Sequence, residues 1–307
     1  MIDLTRLQVF LAAAETLSFS EAAQRLHISQ PTVSHHVKKL EEEIGSVLFD
    51  RSGGEINLTS AGRLLVPHAR KLLREAMGIQ QMMNSMEDRV IGSLRIACST
   101  TTGKYILPQF AGRFLNRHPG VTIRVNRCTR TKVVPILLGE EADLGVVSFD
   151  ACGDDMDCQE FFTDHIILIS PASQPWTAMD SIDPSDLLGV PLILDEPSSG
   201  TRRALLTELG KHDIDIGDLN IFLEVGNAEA IVKTVESGFG LAFVPLTSAR
   251  WALSQATVVQ IPVHGFDLHR RIFMVRKKLH PANRAMEAFW AFVHDPSNKD
   301  LLSMAES

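Results

Sequence analysis

Residues 18–45 read SFSEAAQRLHISQPTVSHHVKKLEEEIG, and this stretch decides how the N-terminal part of the chain folds. It predicts two helices joined by a tight turn. The first is short, Glu21–Leu26, and Ser20 can cap its start. The turn is His27-Ile28-Ser29. Ser29 can cap the second helix, and Pro31 lies in its first turn, where a missing N–H is harmless.

The second of these helices has one apolar side and one polar side. Leu7, Phe10, Leu11 and Ala14 predict a preceding amphipathic helix for the apolar side to pack on. The apolar stripe is Val33, Val37, Leu40 and Ile44, and the opposite face carries Gln30, Thr32, Ser34, His35 and Lys38. A helix of this kind after a tight turn is typical of major-groove insertion, although a solvated face of an ordinary helical hairpin is the alternative.

The charge of the chain does not by itself favour DNA binding. The net charge is −7, and residues 1–90 carry 10 Lys and Arg against 11 Asp and Glu. A DNA-binding face must therefore be local. On the polar face, the Gln30 amide can pair with adenine, and Ser34, His35 and Lys38 can meet phosphates or bases.

Five segments between Phe10 and Gly62 resemble the N-terminal domain of LysR-type transcriptional regulators. They are Ser18–Ala23, Ser29–Ser34, Leu40–Gly45, Leu48–Arg51 and Leu58–Gly62. The resemblance implies a winged helix-turn-helix with Gln30, Pro31, Thr32 and Ser34 at the DNA, and we expect Arg51 there as well. His35 stands where that family usually carries Arg or a similar long polar group, and the wing Ser52-Gly53-Gly54-Glu55 lacks the family's arginines.

A long helix follows, with apolar or small residues spaced alternately three and four apart. They are Gly62, Leu65, Ala69, Leu72, Ala76, Ile79, Met83 and Met86. This alternation predicts a coiled-coil seam and hence a dimer, whereas a helix lying on its own chain's core is the alternative. Pro67 should bend the helix near its start.

From Ser93 onward the chain alternates apolar strands with helices, which predicts an α/β fold. The strands are too many for one unit, so we expect two Rossmann-like lobes, with chain crossings near Phe161–Asp164 and Pro245–Gln255. The predicted organisation is a winged helix-turn-helix at 1–58, a linker helix at 59–91 and an effector-binding domain at 92–307. Within that domain, lobe I covers 92–161 and 256–307, and lobe II covers 162–255.

Two hydroxyl-rich loops, each after a strand and before a helix, predict an anion site. They are Ser99-Thr100-Thr101-Thr102-Gly103 and Pro197-Ser198-Ser199-Gly200-Thr201, and Arg202 could add a positive charge. The alternative is that these residues are simply good N-caps. Segments such as Gly238–Pro245 resemble the LysR-type effector domain, whose fold is like a periplasmic binding protein. That resemblance implies a pocket formed by Ser99, Thr100, Thr101, Thr129, Ser148, Ser199 and Thr201.

The function expected is therefore a regulator controlled by a small, anionic effector. The expected partners are double-stranded DNA, the effector, a second copy or three further copies of the chain, and RNA polymerase. An enzyme is the rival class, but the sequence contains no Gly-x-Ser-x-Gly, phosphate loop or His-Glu-x-x-His motif. We expect no cofactor and no metal site. A solute-binding module without DNA function is less consistent with the first 90 residues.

Two further features bear on location and redox chemistry. No apolar stretch approaches the roughly 18 residues that span a bilayer, and the N-terminus lacks a secretory layout, so we expect a cytoplasmic protein.

Cys152 and Cys158 lie close together in sequence, which allows a redox switch. The neighbouring aspartates should raise their pKa and make the thiols less reactive. Cys98 and Cys128 are expected to be small core residues.

Overall fold

The computed structural model describes residues 2–51, 56–84, 90–98, 102–149, 151–280 and 283–302, without the side chains of 80–84 and 102. The chain divides into two units. The first consists of Met1–Gly92 with the short segments Leu138–Glu141 and His280–Arg284, and the second contains the rest. Among the described residues, no helix is long and apolar enough to cross a membrane.

The first unit begins with three helices: α1 (Leu4–Thr16), α2 (Phe19–Leu26) and α3 (Gln30–Ile44). Our prediction placed the start of α2 too late. Ser18 is its N-cap, with extended backbone and a side chain that accepts a hydrogen bond from the Glu21 amide at 3.3 Å. The helix begins earlier because Phe19 is needed in the core, where it is buried.

A two-stranded hairpin follows α3, formed by the antiparallel strands β1 (Phe49–Asp50) and β2 (Asn57–Leu58). Phe49 is buried, and its ring centroid lies 5.6 Å from that of Phe10 and 5.3 Å from that of Phe19, both edge-on. Edge-to-face aromatic contacts add to the stability that burial alone provides. Three helices with a hairpin packed against them confirm the predicted winged helix-turn-helix, and the wing residues 52–55 lie outside the described residues.

The long helix α4 (Ser60–Asn84) is present, with Pro67 inside it, but the predicted seam divides into two parts. Ala69 is buried and Leu65 is partly buried against the core of the first unit. Further along, Leu72 and Ile79 are 43% and 63% exposed. The start of the predicted seam is therefore used by the chain's own core. The Met83 side chain and Met86 lie outside the described residues.

Gly62 allows α4 to approach the wing hairpin closely. A Cβ atom at this position would lie 2.2 Å from the carbonyl oxygen of Leu48 and 2.8 Å from a methyl carbon of Leu58. No real Cβ is found so close to a backbone oxygen, so only a residue without a side chain fits. The Gly62 amide also donates to the Thr59 hydroxyl at 3.0 Å, which secures the first turn of the helix.

The second unit has the predicted α/β composition. Its strands are β3 (Gly92–Cys98), β4 (Val121–Arg127), β5 (Leu144–Val147), β6 (Met156–Pro171), β7 (Leu192–Leu194), β8 (Ile221–Glu224), β9 (Ala242–Pro245), β10 (Val258–Gln260) and β11 (His269–Lys277). Its helices are α5 (Thr102–Tyr105), α6 (Leu107–Arg117), α7 (Val133–Leu138), α8 (Gly200–Gly210), α9 (Ala228–Glu236), α10 (Leu246–Ser254) and α11 (Arg284–His294).

The 16-residue strand β6 belongs to both lobes of this unit. Its first part pairs antiparallel with β11, next to β5, β3 and β4 in the lobe I sheet. Its second part pairs antiparallel with β9 and β10 in the lobe II sheet. The first part carries exposed polar residues such as Gln159 and Glu160, so the apolar run typical of a buried strand begins only near Ile166.

The chain returns to lobe I later than we expected. Residues from 256 onward were assigned to lobe I, but β10 pairs with β6 in the lobe II sheet, Val258 opposite Pro171. The return crossing therefore lies between β10 and β11. The segment at 246–254, predicted as a crossing, is helix α10. The length of β6 is the reason, because its second half offers β10 a free edge to pair with.

Replacing Gly62 by Ala should destabilise the first unit by about 1–3 kcal/mol, the usual cost of overpacking against fixed backbone. The measurement is urea unfolding followed by circular dichroism. Gly112→Ala is the matched control, since Gly112 is also helical and a Cβ there meets nothing within 4 Å. Equal midpoints for the two variants would contradict the close approach at Gly62.

Candidate functional site

The start of α3 is held in place by its own first residues. Ser29 has extended backbone, and its hydroxyl accepts a hydrogen bond from the Thr32 amide at 3.3 Å. The Ser29 and Thr32 hydroxyls also lie 2.7 Å apart, so the Thr32 side chain is engaged in the cap. Pro31 occupies the first turn as predicted. This cap presents Gln30, which is exposed, at the leading end of the helix.

The predicted DNA-contacting residues of α3 lie on its outer side. Val33, Val37 and Leu40 are fully buried on the inner side. The outer residues are exposed at Gln30, Pro31, His35 and Lys38 and half-buried at Thr32 and Ser34. This surface offers amide, hydroxyl, imidazole and ammonium groups, which are the groups that bind base edges and phosphates.

Arg51 is held against the protein by two contacts. Its guanidinium nitrogen lies 3.5 Å from a Glu41 carboxylate oxygen, and its central carbon lies 5.0 Å from the Phe19 ring centroid. Glu41 also accepts hydrogen bonds from the amides of Leu48 and Phe49 at 2.8 and 3.2 Å. Glu41 thus joins the end of α3 to the wing, a role that the sequence did not reveal.

A groove of about 880 Å³ runs between α3, the wing hairpin and the start of α4. Its charged lining consists of three cations, Lys38, Arg51 and Arg63, and two carboxylates, Glu41 and Asp50. Arg63 was not among the predicted residues. Its guanidinium donates to the Leu58 carbonyl at 2.5 Å and to the Ser60 hydroxyl at 3.3 Å. Cations grouped in one groove can bind a phosphate backbone even though the chain as a whole is acidic.

The second candidate site is a cavity of about 520 Å³ between the lobes of the second unit, called here the interlobe cleft. From lobe I it is lined by Cys98, Gly103, Lys104, Tyr105, Val125, Arg127, Cys128, Thr129, Arg130 and Arg270; from lobe II by Asp195, Glu196, Ser198, Ser199, Gly200, Gly226, Asn227, Ala228 and Glu229. Its polar groups include four cations and three carboxylates.

Several predicted pocket residues come together in or beside this cleft. Thr129 and Ser199 line it, and Thr201 lies behind the lining with its hydroxyl 3.3 Å from an Arg270 guanidinium nitrogen. The Ser148 hydroxyl is buried close to Gly200, where a Cβ would come within 2.6 Å of it, and it has no hydrogen-bond partner in the described part of the chain. Ser99, Thr100 and Thr101 lie outside the described residues.

Arg202 does not supply the cleft charge that we expected of it. It is absent from the cleft lining, and its guanidinium binds the Glu224 carboxylate at 2.8 Å and the Asp195 carbonyl at 3.0 Å. This pairing follows from its place on α8, beside the parallel strands β7 and β8. The positive charge of the cleft comes instead from Lys104, Arg127, Arg130 and Arg270, which the sequence analysis missed.

A buried ion pair lies at the floor of the cleft. Arg270 on β11 stands directly opposite Asp164 on β6, and two of its nitrogens lie 2.9 and 2.7 Å from one Asp164 oxygen. Both side chains are at most 5% exposed. Since β6 continues into lobe II, this pair lies where the two lobes join, and the third guanidinium nitrogen of Arg270 reaches Thr201 on α8.

Glu229 bridges the cleft near its rim. Its carboxylate accepts hydrogen bonds from the Lys104 ammonium and the Tyr105 hydroxyl of α5, across from its own helix α9. Burial acts to raise the pKa of Glu229, but these two hydrogen bonds hold it below its ordinary value. Burial and the neighbouring carboxylate raise the pKa of Tyr105, so the phenol stays protonated as a donor.

Arg130 is in a less favourable environment than the other cleft cations. Burial first, and the like charge of Arg203 second, lower the pKa of its guanidinium. Its side chain lies over the Phe149 ring, 4.2 Å from the centroid, and its Nε atom is buried without a hydrogen-bond partner in the described ranges. The like charges of Arg130 and Arg203, one on each lobe, therefore repel each other.

The polar groups of the cleft are not arranged for metal binding. In the part of the chain that the structure describes, no cluster of three or more His, Cys, Asp or Glu residues could hold an ion. Asp195 instead supports the start of α8, because it accepts a hydrogen bond from the Ser199 hydroxyl at 2.5 Å. Burial raises the pKa of Asp195, and the Ser199 bond partly opposes this.

Two family models match the chain. Residues 4–63 match the model described as a bacterial regulatory helix-turn-helix protein of the lysR family. Residues 87–296 match the LysR substrate binding domain. The first match covers the three helices and the wing, and the second covers both lobes around the cleft.

Similar curated proteins and solved structures match this chain over almost its whole length. The RuBisCO operon transcriptional regulators of Allochromatium vinosum and Acidithiobacillus ferrooxidans are each 30% identical, over 94% and 96% of this chain and 95% and 96% of their own. A full-length OxyR variant from Pseudomonas aeruginosa has a TM-score of 0.72 at 25% identity, covering 100% of this chain and 97% of its own. The LysR-family regulator CbnR has a TM-score of 0.68 at 22% identity, covering 95% and 98%.

Replacing Asp164 by Ala should destabilise the second unit by about 3–5 kcal/mol, because it leaves the Arg270 charge buried without its partner. The control is Asp157→Ala, which removes a 43% exposed partner of Arg276 and should cost about 0–1 kcal/mol. Urea unfolding measures both. Similar losses of unfolding free energy in the two variants would show that the buried Asp164–Arg270 pair contributes no more to stability than the exposed Asp157–Arg276 pair.

Proposed function

Because the chain belongs to the LysR family of bacterial regulatory helix-turn-helix proteins, we propose that it is a sequence-specific transcriptional regulator whose effector is a small anion bound in the interlobe cleft. The relatives at 30% identity are named as transcriptional regulators, and none of the comparisons named above describes an enzyme. We further propose the division into 1–58 for DNA binding, 59–91 as linker and 92–307 for effector binding. Its site of action is then the cytoplasm, where bacterial DNA lies.

The environment of the Arg130 side chain is the observation that best supports an anionic effector. Its guanidinium is partly buried and repelled by Arg203, and its Nε atom has no hydrogen-bond partner among the residues that the structure describes. An anion beside Arg130 would compensate its charge, offset the repulsion from Arg203 and offer Nε an acceptor, whereas a cation there would add to the repulsion. Lys104 and Arg270 already have Glu229 and Asp164 as partners, and the charge of Arg127 interacts with Glu229, so Arg130 is the cleft cation for which a bound anion is most favourable.

Hydroxyl and amide groups at the start of α8 supply the other half of the proposed site. Ser199 caps this 11-residue helix, whose N-terminal end carries a partial positive charge. Thr129 lies on the opposite wall and Ser148 lies beside Gly200. An anion held by groups from both lobes would favour a closed cleft, since it gains contacts only when the lobes approach.

On the DNA side, we propose that Gln30 reads a base and that the surrounding groups bind the backbone. Gln30 is exposed at the first residue of α3, and an amide in the major groove recognises adenine through two hydrogen bonds. Lys38 and Arg63 in the groove beside α3 provide charge for phosphates, with Pro31, Thr32, Ser34 and His35 closer to the helix start. Arg51 contributes charge while Glu41 keeps it in place.

We also propose that the regulator is a homodimer or homotetramer. The second half of α4 leaves Leu72, Met77 and Ile79 at least 43% exposed. In the second unit, Phe222 and Phe239 are each more than half exposed, with nearly parallel rings 6.1 Å apart. Apolar surface of this extent on a regulator indicates contact with another protein surface. The family resemblance extends the proposal to RNA polymerase as a further partner.

Gln30→Ala should weaken binding to the preferred DNA sequence by about 1–3 kcal/mol and leave binding to random DNA unchanged. The preferred sequence is first selected from a random DNA library with the unmodified protein. Affinities for that sequence and for random DNA are then measured at one salt concentration. Gln24→Ala, an exposed glutamine of α2, is the control. An undiminished preference in the Gln30 variant would refute its role as a base-reading residue.

Arg130→Ala should abolish stabilisation by the effector. A thermal-shift screen of small carboxylates, phosphate esters and inorganic anions identifies a stabilising compound, which at 100 times its dissociation constant contributes about 2.7 kcal/mol. The Arg130 variant should lose this shift, and Arg124→Ala, which removes an exposed arginine of β4, should keep it. A stabilising compound that acts equally on both variants, or a cation as the only one found, would refute the proposal.

A further inference from the structure

Cys152 lies in the connection between β5 and β6, Cys158 lies near the start of β6, and the structure joins them in a disulfide. Their Cα atoms are 5.4 Å apart at a sequence separation of six residues. Cys152 is exposed, and Cys158 is half-buried on β6, where it pairs with Val275 of β11. The sequence alone suggested unreactive thiols beside aspartates, but the fold brings the two sulfurs together.

The position of this disulfide does not suit a structural crosslink. A bridge stabilises a fold mainly by closing a loop of the unfolded chain, and the effect is smallest for a short loop such as this one. The exposure of Cys152 also makes the bond accessible to other thiols. Exposed disulfides are among those that are most readily reduced and re-formed.

The same connection leads directly to the interlobe cleft. Ser148 and Phe149 lie between the end of β5 and this cysteine pair, and the Phe149 ring packs under the Arg130 guanidinium at 4.2 Å. Phe149, Ala151 and Cys158 are also partly buried against one hydrophobic cluster of lobe I, which includes Val147 and Met156. Joining Cys152 to β6 therefore restrains the segment that supports Arg130.

We propose that Cys152 and Cys158 form a reversible thiol–disulfide switch that controls how firmly Phe149 supports Arg130 in the cleft. The redox step is independent of the proposed function, and only its consequence for effector binding rests on it. In the oxidised protein the connection is tied to β6 and Phe149 is held under Arg130. In the reduced protein the connection is released at Cys152.

The oxidant is a small disulfide such as oxidised glutathione, and the exchange has two steps. The Cys152 thiolate attacks one sulfur of the glutathione disulfide, which forms a mixed disulfide and releases one glutathione thiolate. The Cys158 thiolate then attacks the Cys152 sulfur, which forms the protein disulfide and releases the second. The protons lost by the two cysteines are taken up by the two glutathione thiolates, and two electrons pass from protein to glutathione.

The other two cysteines should remain reduced. Cys98 is buried and Cys128 is half-buried, and neither takes part in the disulfide. Burial raises the pKa of Cys98 to about 12 and also raises the pKa of Cys128, so little of either is present as the reactive thiolate. Exposure thus decides which of the four cysteines reacts with the oxidant first, and that residue is Cys152.

The test equilibrates the full-length protein in mixtures of reduced and oxidised glutathione and stops the exchange with acid. The protein is then denatured so that buried thiols also react, its free thiols are alkylated, and they are counted by mass spectrometry. We expect four alkylated cysteines in reduced glutathione and two in oxidised glutathione, with peptide mapping locating the bond between Cys152 and Cys158. Cys128→Ser should lose one alkylation site in both conditions but keep the two-thiol change. Cys158→Ser should form no internal bond.

Hydrogen exchange measured on the same samples tests the coupling to the cleft. Peptides covering 128–132 and 144–149 should exchange more slowly in the oxidised protein than in the reduced one, and Cys158→Ser should abolish this difference. A bond that persists in excess reduced glutathione, thiols that remain free in oxidised glutathione, or equal exchange in both states would each overturn the proposal. Glutathione is itself a carboxylate, so Cys158→Ser in the same glutathione buffers shows any effect of its binding in the cleft, and a failure of the effector proposal would be seen separately.

Discussion

The ion pair between Arg270 and Asp164 is the interaction on which the arrangement of the second unit depends. Asp164 lies on β6, the strand that belongs to both lobes, and Arg270 lies opposite it on β11. Buried charges are tolerated only when they are paired and hydrogen-bonded. The register in which β6 pairs with β11 must therefore keep these two residues opposite each other. The same guanidinium reaches Thr201, which links the strand pair to the start of α8 and to one wall of the cleft.

The charges of the cleft follow from this arrangement. Lys104 and Arg270 each have an acidic partner, Arg127 interacts with the charge of Glu229, and Arg202 beside the cleft pairs with Glu224. Arg130 differs, because its neighbours are an aromatic ring and the like charge of Arg203. A ligand charge is most useful where the protein has left a charge uncompensated. The specificity for an anion that we propose is thus a local property in a chain with a net charge of −7.

In the helix-turn-helix the comparable residue is Glu41. Its carboxylate accepts the amides of Leu48 and Phe49 and lies 3.5 Å from Arg51, so one side chain joins the recognition helix to the wing. Phe49, placed by these bonds, packs edge-on against Phe10 and Phe19. The angle between helix and wing is then set by the protein before DNA is bound, which reduces the entropy that binding must overcome.

The sequence by itself determined the helix-turn-helix, the α/β character of the second unit and the family, because caps, helical periodicity and short apolar strands are local signals. Ser29, Pro31 and the stripe of Val33, Val37 and Leu40 needed only neighbours a few residues away. The tertiary structure alone decided that β6 joins both lobes, that Arg130 and Arg270 enter the cleft while Arg202 pairs with Glu224, and that Cys152 meets Cys158. These outcomes depend on which distant strand edge or carboxylate lies within a few ångströms, and no pattern along the chain encodes that distance.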